Sequence, residues 1–304
     1  MSKTPPLVVI GTVAIDELST PFGARQTVFG GSASFFSYAA SFFARVGVVA
    51  VVGEDFPEEY RDVLKEREID LSHLDTLPGK TFHWKGKYES DMNSAITLQT
   101  DLNVLLDFKP KIRYEKTPEF VFLANIDPDL QLSVLDQMHG SALKFVACDT
   151  MNFWIQSRKD AVLKVLGRVH AVFMNDGEAR QLTGEVNLIK AAQQIYNLGP
   201  EYVIIKKGEH GALLYSREGV FIYPAYPLET VYDPTGAGDS FAGGVMGYLA
   251  SARKVNLKIM KTAIAYGTVV ASFTVEKFGM SRLREVKREH FDKRLEVLKK
   301  ICKI

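Results

Sequence analysis

Mostly apolar, β-branched stretches occupy 7–11, 46–52, 120–123, 144–148, 171–174 and 202–206. A strand without polar alternation is buried on both faces, as in a parallel sheet covered by helices. Between these stretches, amphipathic spacing predicts helices over about 33–45, 58–67, 130–138, 159–166, 177–182 and 188–198. Strands and helices that alternate in this way predict a three-layer α/β/α domain.

The stretch 77–108 has a different pattern. Positions 81–88 and 94–99 roughly alternate apolar and polar residues, a period of two that predicts antiparallel strands with one open face. With a short strand over 24–29, these segments predict a small β-sheet lid formed mainly by about 15–30 and 77–108. Strands over 212–215 and 220–223 predict a hairpin across Ser216-Arg217-Glu218-Gly219. Helices are expected from Asp239 to about Ala252, over 257–273 and over 285–301. No repeat or linker interrupts the chain, so 1–304 is read as a single domain with a lid.

Composition narrows the class of partner. The chain has 304 residues, 37 Lys and Arg against 36 Asp and Glu, and a net charge of +1. Such a balance gives no general attraction for nucleic acid or for an anionic membrane, so any phosphate binding is local. Cys148 and Cys302 form no metal-binding or redox spacing and are expected to be reduced thiols. The N-terminus lacks a signal-peptide pattern, and no apolar run approaches the roughly 20 residues of a membrane span. A cytoplasmic protein is expected.

The chemistry concentrates at Asp233-Pro234-Thr235-Gly236-Ala237-Gly238-Asp239-Ser240-Phe241-Ala242-Gly243-Gly244. A small-residue turn opening a helix presents free N–H groups and the positive end of the helix dipole, which together make an anion site. Asp239 places a carboxylate where that anion would sit, and a role that justifies it is accepting a proton. The other reading is a glycine-rich turn capped by Asp239. GxxxxGK[ST] is absent, and Phe241 breaks the third glycine of GxGxxG, which disfavours a dinucleotide oxidoreductase. HExxH is missing too.

This long turn resembles the signature of the ribokinase-like (PfkB) carbohydrate kinases. Gly30-Gly31, Gly47 and Val52-Gly53-Glu54-Asp55 are similar to the family's N-terminal signature. Asn175-Asp176-Gly177-Glu178-Ala179 resembles its NxxE motif, and Lys207-Gly208-Glu209-His210-Gly211-Ala212 its nucleotide-side loop. The resemblance implies ATP-dependent phosphoryl transfer to a hydroxyl of a sugar or sugar-like molecule. It makes Asp239 the general base and the N–H groups of Gly236, Ala237, Gly238 and Asp239 the anion hole. Asp16, Gly30, Gly31 and Phe35 would meet the substrate, and Asn175, Glu178, Lys207, Gly208 and Gly211 the nucleotide. Glu178 would organise Mg²⁺ through water. Asp233 would either hold the turn or help bind a monovalent cation such as K⁺. Lids in this family pair, so a homodimer through the lid is expected.

One departure bears on the substrate. Relatives commonly carry Asn where this chain has Phe35, which either exchanges a polar sugar contact for an apolar surface that would suit a ring with a flat face, or is a core residue facing away from the site. A nucleoside (adenosine-type) kinase or an inositol or polyol kinase are therefore alternatives. A non-catalytic sugar or nucleotide sensor is the alternative outside the class. Trp84, Tyr88 and Asn93 are further candidate contacts on the lid, and Asp149 and Asn152 on the nucleotide side.

Overall fold

A computed structural model describes residues 4–93, 95–138, 140 and 142–303. Ser94, which opens one expected lid strand, lies outside the described residues. In chain order the first part comprises β1 (Leu7–Ile10), β2 (Ala14–Thr20), β3 (Gly23–Gly30), α1 (Ser32–Ala40), β4 (Val46–Gly53), α2 (Glu58–Lys65), β5 (Asp70–Leu77), β6 (His83–Tyr88) and β7 (Ala95–Asp101). The middle comprises β8 (Phe120–Leu123), α3 (Pro128–Gln137), β9 (Phe145–Asp149), α4 (Asn152–Ser157), α5 (Lys159–Leu166), β10 (Ala171–Asn175), α6 (Asp176–Thr183), α7 (Leu188–Tyr196) and β11 (Tyr202–Lys206). The hairpin β12 (Ala212–Ser216) and β13 (Gly219–Tyr223) precedes α8 (Ala237–Ala252), α9 (Leu257–Thr274), α10 (Ser281–Glu285) and α11 (Arg288–Ile301).

The larger sheet has nine strands in the order β13-β12-β11-β10-β9-β8-β1-β4-β5. Pairings from β11 to β5 are parallel, and only the β11-β12-β13 edge is antiparallel. Both faces are covered, as the apolar runs require. Leu7 and Val9 pack into one core with α1, α2, α8, α9 and α11, and Val8 and Ile10 into the other with α3, α5, α6 and α7. That division is the pleat of a single strand serving two helix layers.

The second sheet has four strands in the order β3-β2-β6-β7. The expected purely antiparallel pairing is corrected here, because β6 lies parallel to β2 while the other pairs are antiparallel. A parallel neighbour is possible because the chain leaves β2 through α1, β4, α2 and β5 before returning to it.

Two helices differ from their expected lengths. The helix expected over 33–45 stops at Ala40, and the following turns seat Phe42 against Phe291 at 4.8 Å between ring centroids. The helix expected over 285–301 is broken at Val286, whose extended backbone (φ −102°, ψ 157°) buries its side chain. β5 and α4 carry no periodicity strong enough to announce them.

α8 lies unusually close to α1. A Cβ at Gly243 would be 2.4 Å from Phe36 O, and one at Gly247 would be 2.8 Å from Ala40 O. Any side chain at these two positions, four apart on one helix face, would push the helices apart. This contact holds the Gly30-Gly31 entrance of α1 beside the Gly236–Asp239 entrance of α8.

Candidate active site

The site forms at the carboxyl ends of the parallel strands, where open α/β sheets bind ligands. β9, β10 and β11 are neighbours and end in Asp149, Asn175 and Lys206 respectively. Lys206 Nζ donates to Asp149 Oδ2 at 2.6 Å, while Asp149 Oδ1 accepts from Thr150 N at 2.8 Å. Burial alone would push the Lys206 ammonium down, but Asp149 and Glu178 outweigh it and hold its pKa above the ordinary lysine value.

Asn175 and Glu178 close a reciprocal capping box at the start of α6. Asn175 Oδ1 accepts from Glu178 N at 2.7 Å, and Glu178 Oε2 accepts from Asn175 N at 2.6 Å. Burial is the main reason the Glu178 carboxyl rises to about 7; Lys206 opposes the rise and Asp149 adds to it. Capping thus fixes a buried carboxylate within electrostatic reach of the lysine.

Gly236 caps α8 in the left-handed region (φ 74°). Ser240 N–H closes the first turn onto Gly236 O at 2.8 Å. The four-donor anion hole needs one correction: Ala237 N–H turns back to Pro234 O at 3.1 Å, so it is already engaged. The N–H groups of Gly238 and Asp239 stay in the first turn, where α-helical geometry offers no acceptor. Over them sits the lysine: a Cβ at Gly238 would lie 3.1 Å from Lys206 Nζ. Asp239 is half-buried in the same turn. Desolvation first and Asp149 second raise its carboxyl to about 7, with Lys206 holding it down. Asp233 braces the turn, its Oδ1 accepting from Thr235 N and its Oδ2 from Gly279 N, each at 2.9 Å.

Asp16 approaches the same turn from the small sheet. It is 3% exposed, and its Oδ1 has no hydrogen-bond partner among the described residues. Its carboxyl is raised well above the usual range by burial, then by Asp233 and Asp239, with the Gly31 N–H working against them. A Cβ at Gly30 would lie 1.8 Å from Asp16 Oδ2, so the carboxylate rests directly on that glycine. Gly31 has φ 98° and a Cβ there would be 2.5 Å from Thr12 O. A buried carboxylate oxygen with no donor is costly, and a ligand hydroxyl would satisfy it.

On the far side of the turn a cleft of about 370 Å³ is lined by Lys206, Gly208, Gly211, Gly238 and Phe241, with Asn93 from the small sheet closing over it. Of the residues expected at the nucleotide, Asn175, Glu178 and Lys207 do not line this cleft, and of those expected at the substrate Phe35 is buried. The Lys207 N–H closes onto Gly211 O at 2.7 Å, and Lys206, the last residue of β11, faces the turn in its place. Phe35 is 1% exposed, and its ring lies where a Gly236 Cβ would be, 2.3 Å from Cγ. It supports the turn from beneath and presents no face to a substrate. Lys207 occupies the motif position, and the continuous apolar run of β11 offers no alternation that would single out Lys206.

No group of three or more His, Cys, Asp or Glu among the described residues is arranged to hold a metal alone. Mg²⁺ that arrives on nucleotide phosphates needs only one or two protein carboxylates, and Glu178 and Asp149 fit that need. Among the described residues no helix is long and apolar enough to cross a membrane.

The pfkB family carbohydrate kinase model matches residues 8–286, and the chain belongs to that family. Among similar proteins is a cytidine kinase of Thermococcus kodakarensis, 34% identical over 79% of this chain and 87% of its own. A Burkholderia thailandensis nucleoside kinase solved in complex with inosine superposes with a TM-score of 0.81 at 17% identity, over 96% of this chain and 97% of that one. A putative ribokinase II from E. coli, solved with ATP and Mg²⁺, superposes with a TM-score of 0.79 at 17% identity over 98% and 100%. These two likenesses establish the ribokinase fold.

Proposed function

We propose that this kinase transfers the γ-phosphoryl group of ATP to a hydroxyl of a nucleoside. The observation that carries the chemistry is the position of Asp239, between Asp16, whose Oδ1 has no hydrogen-bond partner among the described residues, and the Lys206–Asp149 pair. Asp16 accepts a hydrogen bond from a ribose hydroxyl and directs a second hydroxyl to Asp239. The Asp239 carboxylate takes that hydroxyl's proton as its oxygen bonds to the γ-phosphorus. The bond to the bridging oxygen breaks, and ADP leaves with the electron pair. The N–H groups of Gly236, Gly238 and Asp239, together with Lys206, neutralise the charge spread over the transferring group. Bound Mg²⁺ would offset charge on the nucleotide phosphates beside Glu178 and Asp149.

The nucleoside acceptor is supported by the relatives: the 34% identical protein is a cytidine kinase. The buried Phe35 presents no face to a substrate and lends no weight to a flat-faced acceptor. Asp233 has a lone pair left on each oxygen for a monovalent cation such as K⁺, and activity compared in K⁺ and in tetramethylammonium tests that role. Exposed Ile96 and Leu98 on β7, an edge strand, are the surface a homodimer would cover, and solution mass tests it.

The test of the main reading is ADP release with Mg-ATP and cytidine, inosine, adenosine, ribose, fructose or inositol. Turnover of a nucleoside at a kcat/KM at least about 100-fold above the free sugars, about 2.7 kcal/mol of discrimination, supports the proposal. Preference for a free sugar or a polyol overturns the nucleoside acceptor, and no turnover of any of them would favour a sensor.

A further inference from the structure

The small sheet carries an aromatic feature that the phosphoryl-transfer chemistry does not use. Along β2, Asp16, Leu18 and Thr20 are buried while Ile15, Glu17 and Ser19 are half-buried, so the first set faces the catalytic turn. β6 pairs in register with Asp16 opposite Trp84 and Leu18 opposite Gly86. Residues opposite one another project from the same face of a sheet. Tyr88, two positions further, is buried with its hydroxyl 3.4 Å from Thr235 Oγ1. Trp84, Gly86 and Tyr88 therefore share the face that overlies Asp16 and the 233–239 turn.

The indole of Trp84 lies flat along its strand. A Cβ at Gly86 would be 2.0 Å from its Cη2, 2.4 Å from Cζ2 and 2.6 Å from Cζ3. The ring thus occupies the space that any other residue at 86 would fill. Trp84 Nε1 donates to Thr97 Oγ1 at 3.2 Å, which pins the ring from the neighbouring strand. One ring face rests on Gly86, and the side chain as a whole is only half-buried, which leaves part of the indole accessible. A core tryptophan needs no glycine floor and no tether to an exposed threonine. A flat surface held ready beside the ribose-binding carboxylate does.

We propose that Trp84 is the platform on which the heterocyclic base of the acceptor stacks, with Gly86 as the gap that lets the indole lie flat and Thr97 as its tether. This rests on the nucleoside reading above. Stacking is tolerant of base identity because every base has a π-face. A platform of this kind selects nucleosides over free sugars without selecting strongly among bases.

The experiment has two readouts. Trp84 and Trp154 are the only tryptophans, so a Trp154→Phe background reports Trp84 alone. Cytidine or inosine, without ATP, is expected to quench its fluorescence, while ribose at the same concentration does not. Trp84→Leu and Gly86→Val are each expected to raise the nucleoside KM roughly ten-fold or more, the order that base–aromatic stacking contributes, while the ATP KM stays within two-fold. Trp84→Phe should recover most of the loss. Nucleoside turnover by Trp84→Leu at the parent KM, or equal quenching by ribose, would overturn the platform and leave the nucleoside reading standing. Failure of the unmutated enzyme to use any nucleoside would overturn both.

Discussion

Lys206 Nζ and Asp149 Oδ2 stand 2.6 Å apart at the ends of two strands separated by one, with side chains 19% and 5% exposed. The pair holds a cation over Gly238, where the proposed transferring phosphate would compete for it. Lys206→Met should lower kcat about 100-fold, the order found when one donor to a developing anion is removed. It should also destabilise the fold, because Asp149 is left as a buried unpaired charge. Adding Asp149→Asn should restore the melting temperature and leave kcat low. If the double variant recovers activity together with stability, Lys206 is a structural cation only.

Asp239→Asn should leave nucleotide binding intact and reduce kcat by at least about 10²-fold, within the usual range for general-base removal. In the unmutated enzyme the base must be ionised, and its carboxyl sits at about 7. Activity should therefore fall tenfold per pH unit below that value. Because Lys206 holds the carboxyl down, the acid limb of the Lys206→Met profile should lie at higher pH. Rate profiles of the two enzymes between pH 5 and 9 decide it.

The same carboxyl has a consequence for stability. Its folded pKa is raised, so between the ordinary carboxylate value and about 7 the folded state keeps a proton that the unfolded chain releases. That contribution is complete below the unfolded value and is lost as pH rises through about 7. Asp239→Asn cannot lose it. The variant should melt a few degrees above the unmutated protein at pH 8, by about 2–4 °C for each kcal/mol in a chain of this order of size, with the gap narrowing at pH 5. Calorimetry at the two pH values measures the difference directly.

Gly30→Ala places a methyl group in the position of the Asp16 carboxylate, 1.8 Å from Oδ2. The carboxylate must swing away, so the acceptor KM should rise about ten-fold or more while the ATP KM holds. Equal effects on both substrates would mean that the lid as a whole has moved.

Gly236→Ala meets two obstacles, a left-handed φ of 74° and the ring of Phe35. The backbone part costs on the order of 1 kcal/mol, and the ring contact adds to it. Loss of activity with a lower melting temperature is expected. Combining it with Phe35→Leu should recover part of the melting temperature, since only the steric part is relieved.

Much of the fold was legible because burial leaves a local record. Strands covered on both faces read as continuous apolar runs, and β1, β4, β8, β9, β10 and β11 were all expected near their observed positions. β5 was not, because an edge strand packs one side only and DLSHLDTL mixes polar and apolar residues without a steady period. The break at Val286 was hidden for a related reason: an amphipathic pattern continues across a residue whose extended backbone is set by what it packs against.

At the site, the Asp233–Gly244 stretch announced a glycine-rich turn that opens a helix beside a carboxylate, by its spacing alone. Its glycines encode a left-handed cap and a close helix contact, both local or one contact away. The identity of the lysine was decided by tertiary structure, because Lys206 and Lys207 differ only in where β11 ends. So was the fate of Phe35, since the same ring could face a substrate or underlie Gly236 depending on how α1 meets α8. Sequence by itself determined the buried strands and most of the helices, and it singled out the turn proposed to carry the chemistry, because φ, ψ and burial on one strand or helix are written in neighbouring positions. Only the tertiary structure decided which charges face one another, because Asp16, Asp149, Lys206 and Asp239 meet through strands and helices whose packing no local pattern records.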